Sequence, residues 1–163
     1  MVRKRVESRS SSYDSGAIRA AAVALLARRD YLTAELQRRL ESQGFDPAAA
    51  AAELAELAAE RLLEDGRFVE RFVASRAERG QGPLRIAMDL KSQGAPAALI
   101  EAAIQAGPDW GDVAREVRRR KFGPEPPRTW PEKARQARFL QYRGFSSDHI
   151  RAATGADFED PRT

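Results

Sequence analysis

The chain contains no cysteine and only one histidine, His149, among its 163 residues. The missing thiols exclude disulfides and thiol chemistry, and they are typical of a protein of the reducing cytoplasm. A single imidazole without any cysteine cannot supply the paired His or Cys ligands of a zinc site. We therefore expect a cytoplasmic protein with no bound metal.

Long apolar stretches and alternating strand patterns are missing as well. No stretch approaches the ~20 apolar residues that span a bilayer, and no apolar segment follows the basic start at residues 1–5, as a secretory signal would require. Val and Ile are few, and the apolar residues are mostly Ala and Leu, which favours helices over sheets. These features predict an all-α chain with no membrane contact.

Motifs for catalysis or cofactor binding are also absent from the sequence. The chain has no phosphate-binding G-x-x-x-x-G-K-[ST] loop, and Gly80–Gly82 lacks the third glycine and the preceding strand of a dinucleotide site. Glu53, Glu56 and Glu60 share one helical face, but a carboxylate metal cluster needs a facing set on a second helix. We expect no cofactor and no enzymatic activity.

What the chain does contain is a short pattern that recurs every fifty residues. Leu40–Phe45, Leu90–Ala95 and Leu140–Phe145 each begin with an apolar residue and continue through polar residues to a glycine. A glycine in this position is typical of a helix that ends in the left-handed conformation. The predicted helix stops, each with a positive φ, are Gly44, Gly94 and Gly144.

The recurrence predicts an elongated stack of three tandem three-helix repeats, each similar in outline to a helix-turn-helix unit. A unit of about 45–50 residues cannot bury its apolar face alone, whereas three stacked units can. Polar segments flank the repeats and predict a disordered basic N-terminal tail and a short acidic C-terminal tail. The predicted boundaries are 1–16 for the first tail, 17–62, 63–107 and 108–155 for the repeats, and 156–163 for the last tail.

Positive charge is concentrated in the third predicted repeat. Residues 108–155 carry eleven basic and six acidic side chains, a net of +5, whereas the first and second repeats carry −1 and 0. Such a field favours an anionic partner, either nucleic acid or an acidic protein surface. A basic face that is only solvated is the alternative. Trp130 and Tyr142 could stack on bases, but we expect both side chains to be packed against the fold.

The second repeat carries the most specific sequence. Leu62–Val69, Phe72–Arg76, Arg79–Ile86 and Leu90–Gly94 resemble the RecX family of bacterial regulatory proteins, and weaker agreement extends over residues 17–155. The resemblance implies tandem three-helix repeats without catalysis, which bind in the groove of the RecA recombinase filament. It further implies inhibition of the ATPase, coprotease and strand-exchange activities of RecA, and hence a role in recombination, DNA repair and the SOS response. Some binding to single- and double-stranded DNA is also implied.

The basic side chains are the candidate contacts with RecA or DNA, and we expect the protein to act as a monomer. The middle helix of the second repeat departs from the family at residues 87–89, where a more basic sequence is usual. A helix-turn-helix-like DNA-binding protein that acts independently of RecA is the alternative function, and a plain helical adaptor is a further one. The candidate contact residues are Arg28, Arg29, Arg67, Arg71, Arg76, Arg79, Arg85, Lys91, Arg115, Arg118, Arg119, Arg120, Lys121, Lys133, Arg135 and Arg138.

Overall fold

The computed structural model describes residues 12–155, and within this range it contains nine α-helices and no strand. The all-α prediction with tandem three-helix repeats is confirmed. None of these helices is long and apolar enough to cross a membrane. The helices are α1 Ser15–Leu26, α2 Thr33–Ser42, α3 Pro47–Ala59, α4 Asp65–Glu78, α5 Pro83–Ser92, α6 Ala97–Gln105, α7 Trp110–Phe122, α8 Trp130–Arg143 and α9 Ser147–Thr154.

The first helix begins earlier than the sequence pattern predicts. The Asp14 carboxylate accepts hydrogen bonds from the backbone N–H groups of Gly16, at 2.9 Å, and Ala17, at 3.4 Å, and so caps α1. The carbonyl of Ser12 accepts a hydrogen bond from the backbone N–H of Asp46 at 3.0 Å. Residues 12–16 are thus folded, and the prediction of disorder is wrong for them. Residues 1–11 and the acidic tail 156–163 lie outside the described residues.

The chain divides into two compact units, Met1–Phe68 with Gln93–Pro96 and Val69–Ser92 with Ala97–Thr163. In the first unit α1 and α2 both pack on α3, and their apolar faces are fully buried at Ile18, Leu36 and Leu57. Burying a leucine or isoleucine side chain stabilises a fold by about 1.5–3 kcal/mol. The apolar faces of these three helices therefore form the core of the first unit.

The start of α2 is capped from a distant point in the sequence. Thr33 has the residue type of an N-cap, but it is the first helical residue and its own side chain caps nothing. The carboxylate of Asp65 instead accepts hydrogen bonds from the Thr33 backbone N–H at 2.7 Å and from its hydroxyl at 3.0 Å. This bond joins the start of α4 to the start of α2 within the first unit.

In the second unit α9 packs on both α7 and α8. Ala114, Leu140, Phe145 and Ile150 form the centre of this core, and each is at most 2% exposed. Helix α5 packs on α6 in the same unit. The α8–α9 turn carries Phe145, so this turn is fixed by the core on one side.

The Gly94 turn packs against the start of α2 in the first unit. Gly94 has a φ of 88°, and a Cβ atom added to it would lie 2.8 Å from the Cβ of Ala34. The guanidinium of Arg38 donates a hydrogen bond to the carbonyl of Gln93 at 3.2 Å. A side chain at position 94 would therefore separate the turn from α2.

The Gly144 turn makes an even closer contact with the start of α5 in the second unit. The backbone N–H of Gly82 donates to the carbonyl of Arg143 at 2.8 Å, and that of Leu84 donates to the carbonyl of Gly144 at 3.0 Å. A Cβ atom at Gly144 would overlap the Cβ of Arg85 and would lie 2.7 Å from its backbone nitrogen. Gly144, with a φ of 94°, thus meets both a conformational and a steric requirement.

Replacing each of the three recurring glycines by alanine should separate the cost of a positive φ from the cost of a steric clash. Gly44 has a φ of 93° but nothing near its Cβ position, so Gly44→Ala should cost only the roughly 1–2 kcal/mol of a left-handed alanine. Gly144→Ala should cost more than about 2 kcal/mol, because backbone must also move. Gly94→Ala should lie between them. Urea denaturation of the three variants measures the order, and equal costs would show that the turn contacts contribute nothing.

A capping box begins α8, where Thr129 precedes Trp130 and Pro131. The backbone N–H of Glu132 donates to the Thr129 hydroxyl at 3.4 Å. The Glu132 carboxylate accepts from the backbone N–H groups of Arg128, at 2.8 Å, and Thr129, at 3.2 Å. These backbone hydrogen bonds lower the pKa of Glu132 below its ordinary value.

Stability should therefore depend on pH through this carboxylate. Because the folded pKa is lowered, the stabilisation is present above the ordinary value of about 4.5 and is lost as the pH falls through the folded pKa. At pH 7 we expect the urea midpoint of unfolding to be higher for the wild-type chain than for Glu132→Gln. This difference between the two midpoints should disappear below pH 4. A difference that stays constant from pH 7 to pH 3 would contradict the capping role of the ionised form.

Candidate anion-binding site

Two of the predicted contact residues on α7 share one carboxylate, which offsets one of their two positive charges. Glu116 accepts from the guanidinium of Arg119 at 2.8 Å and from that of Arg120 at 2.8 Å. Together the two arginines lower the pKa of Glu116 to about 2, and Glu116 raises the pKa of Arg119. The end of α7 is therefore less positive than its run of basic residues indicates.

Other predicted contacts are also paired with acidic side chains a short distance along the chain. Exposed pairs of this kind contribute only about 0–1 kcal/mol to stability, but each one cancels a positive charge locally. These pairs are Arg115 with Asp112, Arg67 with Glu64 at 3.9 Å, and Arg29 with Glu35, where Arg29 also lies over the ring of Tyr31.

Arg118 is buried, with 6% of its surface exposed. Its guanidinium donates to the carbonyls of Gly123 and Glu125, each at 3.1 Å, and to Oε1 of Gln136 at 3.3 Å. Arg118 is a predicted contact residue, but it does not lie on an exposed face, because it follows the buried Ala114 by one helical turn. Arg118 holds the connector between α7 and α8 against Gln136 on α8.

A different set of basic residues surrounds two phenylalanines of the second unit. Phe122 at the end of α7 and Phe139 on α8 meet edge to face, with ring centroids 5.4 Å apart. The guanidinium of Arg135 lies 5.3 Å from the Phe122 centroid. The guanidinium of Arg143 lies 5.3 Å, and the Lys121 ammonium 5.8 Å, from the Phe139 centroid. These five residues are called the aromatic–cation cluster below.

Within the described part of the chain, the three cations of this cluster form no close ion pair, although the charge of Arg135 contributes to lowering the pKa of Glu132, three residues earlier on α8. Among residues 12–155, no carboxylate forms an ion pair with Lys121, Arg135 or Arg143. Lys121 and Arg135 are exposed, while Arg143 is half-buried and donates to the carbonyl of Arg79 at 3.4 Å. Cations over aromatic faces are held in place while their outer N–H groups stay available. The cluster can therefore bind a phosphate or a carboxylate.

Sequence reasoning selected Lys121 and Arg135 but missed Arg143 and both phenylalanines. Arg135, Phe139 and Arg143 are spaced four residues apart, which places them on one face of a helix. That spacing was available in the sequence. Phe122 could not be found in the same way, because its partner lies across the connector on another helix.

The remaining predicted residues lie elsewhere on the two units. Arg76 is half-buried with its guanidinium 4.7 Å from the ring centroid of Phe72. Tyr142 is 82% exposed, so the expectation that it is packed is wrong, while Trp130 is 45% exposed. Of the other predicted contacts, Arg28, Arg71, Arg79, Lys91 and Arg138 are exposed, and Arg85 and Lys133 are half-buried.

Comparison with known proteins decides the family. The second three-helix domain of RecX matches residues 65–104, and the third three-helix domain matches residues 111–154. A regulatory protein RecX of Halorhodospira halophila is 48% identical over 90% of this chain and 91% of its own length. One of Pseudomonas fluorescens is 40% identical over 88% of this chain and 94% of its own. The chain belongs to the RecX family of regulatory proteins.

Solved structures of RecX proteins have the same fold as this chain. The crystal structure of RecX from Lactobacillus salivarius superposes with a TM-score of 0.75 at 18% identity, covering 91% of this chain and 95% of that one. A second crystal structure of a regulatory protein RecX gives a TM-score of 0.73 at 16% identity, covering 96% and 79%. The helical architecture is thus shared although most side chains differ.

The burial of Arg118 predicts a structural role that its neighbours do not have. Arg118→Ala should destabilise the chain by about 2–3 kcal/mol, because it leaves several carbonyl acceptors without a charged donor. Arg118→Lys should recover only part of this loss, since a lysine cannot reproduce the guanidinium fork. Arg120→Ala is the matched control and should change stability by less than about 0.5 kcal/mol. Equal urea midpoints for Arg118→Ala and Arg120→Ala would contradict the assignment.

Proposed function

We propose that this RecX-family chain binds the RecA recombinase filament and inhibits its ATPase, coprotease and strand-exchange activities, thereby modulating recombination, DNA repair and the SOS response. Membership of a family of regulatory proteins supports this role. The protein acts in the cytoplasm as a non-catalytic monomer that needs no cofactor. The observation that supports the site is the aromatic–cation cluster, where three cations form no ion pair among the described residues.

The mechanism follows from binding alone. The bound chain shifts the filament toward one state only by the difference between its affinities for the available states. Lys121, Arg135 and Arg143 contact phosphates of the DNA in the filament or carboxylates on the surface of RecA. Such contacts speed association and fix orientation, and salt weakens them. The paired arginines of α7 contribute little, because Glu116 already accepts their hydrogen bonds.

A DNA-binding protein that acts independently of RecA is the second candidate. The exposed Arg135 and Arg138 on α8 favour it, because two adjacent cations on a helix face suit phosphates as well as carboxylates. The two functions differ in a direct measurement. A DNA-binding regulator binds a preferred DNA sequence without RecA, whereas a filament regulator binds filaments on any DNA sequence.

Two charge-matched double variants test the site. Lys121→Ala/Arg135→Ala removes two unpaired cations, and Arg119→Ala/Arg120→Ala removes two cations that are paired with Glu116. We expect the first variant to inhibit the DNA-dependent ATPase of RecA about tenfold less at 0.1 M salt, with a weaker salt dependence. We expect the second variant to differ from the wild type by less than about threefold.

The assay is a titration of each variant against RecA on single-stranded DNA across a salt series, with circular dichroism as the check on folding. Equal inhibition by both double variants would show that only net charge matters and would contradict the assigned site. A wild-type chain that leaves the ATPase unchanged at every concentration would contradict the proposed function itself.

A further inference from the structure

An open groove lies in the second unit between α5 and the α8–α9 turn, with a volume of about 590 Å³. Leu84 and Met88 of α5 and Tyr142 of α8 line its sides. Phe145 and Ile150 also line it, and both belong to the buried core. These five residues are called the apolar groove below. None of them belongs to the aromatic–cation cluster.

The sides of the groove are exposed to an unusual degree for apolar residues. Tyr142 is 82% exposed, Met88 66% and Leu84 58%. Three of the seven large apolar side chains that are exposed among the described residues thus line one groove. Single exposed apolar residues are normal on protein surfaces, but a concave group of them marks a binding surface.

Backbone hydrogen bonds fix the shape of the groove before anything binds. Leu84 donates its backbone N–H to the carbonyl of Gly144 at 3.0 Å, and Gly82 donates to the carbonyl of Arg143 at 2.8 Å. The close approach of Gly144 to Arg85 joins the same two segments. A preformed groove loses little conformational entropy on binding, which favours affinity.

The charges in the groove discriminate between classes of partner. Arg85 and Asp89 lie one helical turn apart on α5, both line the groove, and both are half-buried. Within residues 12–155 neither side chain forms an ion pair. Because Arg85 and Asp89 carry opposite charges, the groove has no net charge from this pair and no net attraction for nucleic acid phosphates. A partner segment that matches these apolar and charged residues would carry an apolar side chain flanked by one basic and one acidic residue.

We infer that the apolar groove binds a segment of a RecA protomer, which inserts an apolar side chain between Met88 and Tyr142 and places a basic residue near Asp89 and an acidic residue near Arg85. This inference rests on the proposed function and adds a direct protein contact to the anion contacts of the aromatic–cation cluster. Methionine, leucine and tyrosine together form the kind of surface that anchors a protein segment.

The test is a double variant, Met88→Gln/Tyr142→Gln, which makes two exposed side chains polar without entering the core. Val23→Gln is the control for making an exposed apolar residue polar outside the groove, because Val23 is 42% exposed on α1 in the first unit. Two affinities are measured for each chain by fluorescence anisotropy. One is the affinity for RecA filaments on single-stranded DNA with a slowly hydrolysed ATP analogue, and the other is the affinity for the same DNA without RecA.

We expect the double variant to bind filaments at least tenfold more weakly, with the same salt dependence, and to bind DNA alone as the wild type does. Val23→Gln should match the wild type in both assays. Benzoylphenylalanine in place of Tyr142 should crosslink to RecA on irradiation.

Three results would overturn the inference. Unchanged filament affinity with no crosslink to RecA would show that the groove is not a protein contact. An equal loss of affinity for DNA alone would show that it is a nucleic acid surface. A self-association in sedimentation equilibrium that the double variant abolishes would assign the groove to a second copy of this chain. Failure of the wild-type chain to bind filaments at all is a separate result and would contradict the proposed function, and with it the partner named here.

Discussion

The contact between a glycine helix end and the start of an earlier helix is the constraint on which the arrangement of each unit depends. At Gly144 the backbone of the turn lies so close to α5 that a single Cβ atom would overlap Arg85. This short distance also allows two backbone hydrogen bonds, from the N–H groups of Gly82 and Leu84 to carbonyls of the turn. The glycine therefore does more than end a helix. It fixes where the last turn of α8 lies, and that turn carries both Arg143 of the aromatic–cation cluster and Tyr142 of the apolar groove.

The basic side chains of the third repeat lie in three different environments. Some pair with carboxylates, one is buried, and only the exposed ones without an ion pair are available to bind a partner. On α7, Glu116 lies three and four residues before Arg119 and Arg120 and accepts hydrogen bonds from both. Arg118 is turned inward, where the connector supplies carbonyl acceptors in place of water. Lys121 and Arg135 remain exposed above aromatic rings. Net charge thus locates the basic part of the chain, but local pairing decides which residues can bind an anion.

The helices could be predicted because their signals are local in the sequence. Asp46 followed by Pro47, the Thr129 capping box and the recurring glycines lie within a few residues of the backbone groups that they affect. The errors arise where the partner is distant. Asp65 caps α2 from 32 residues away. The carbonyl groups that accept hydrogen bonds from the buried Arg118 come together only when the connector between α7 and α8 folds back. Periodicity predicts the face of a helix on which a residue lies, but it does not predict which residues pack against that face.

The two surfaces proposed for the second unit respond differently to salt and to partner shape, and the difference matters for the proposed regulation of a RecA filament. Contacts with phosphates weaken steeply as salt rises and do not distinguish one nucleic acid from another. An apolar contact is almost insensitive to salt and requires a partner of matching shape. Under the proposed function, a chain with only the aromatic–cation cluster would bind any free DNA. If the apolar groove binds RecA as inferred, the affinity depends on DNA and protein together, and that combination exists only where RecA is assembled on DNA.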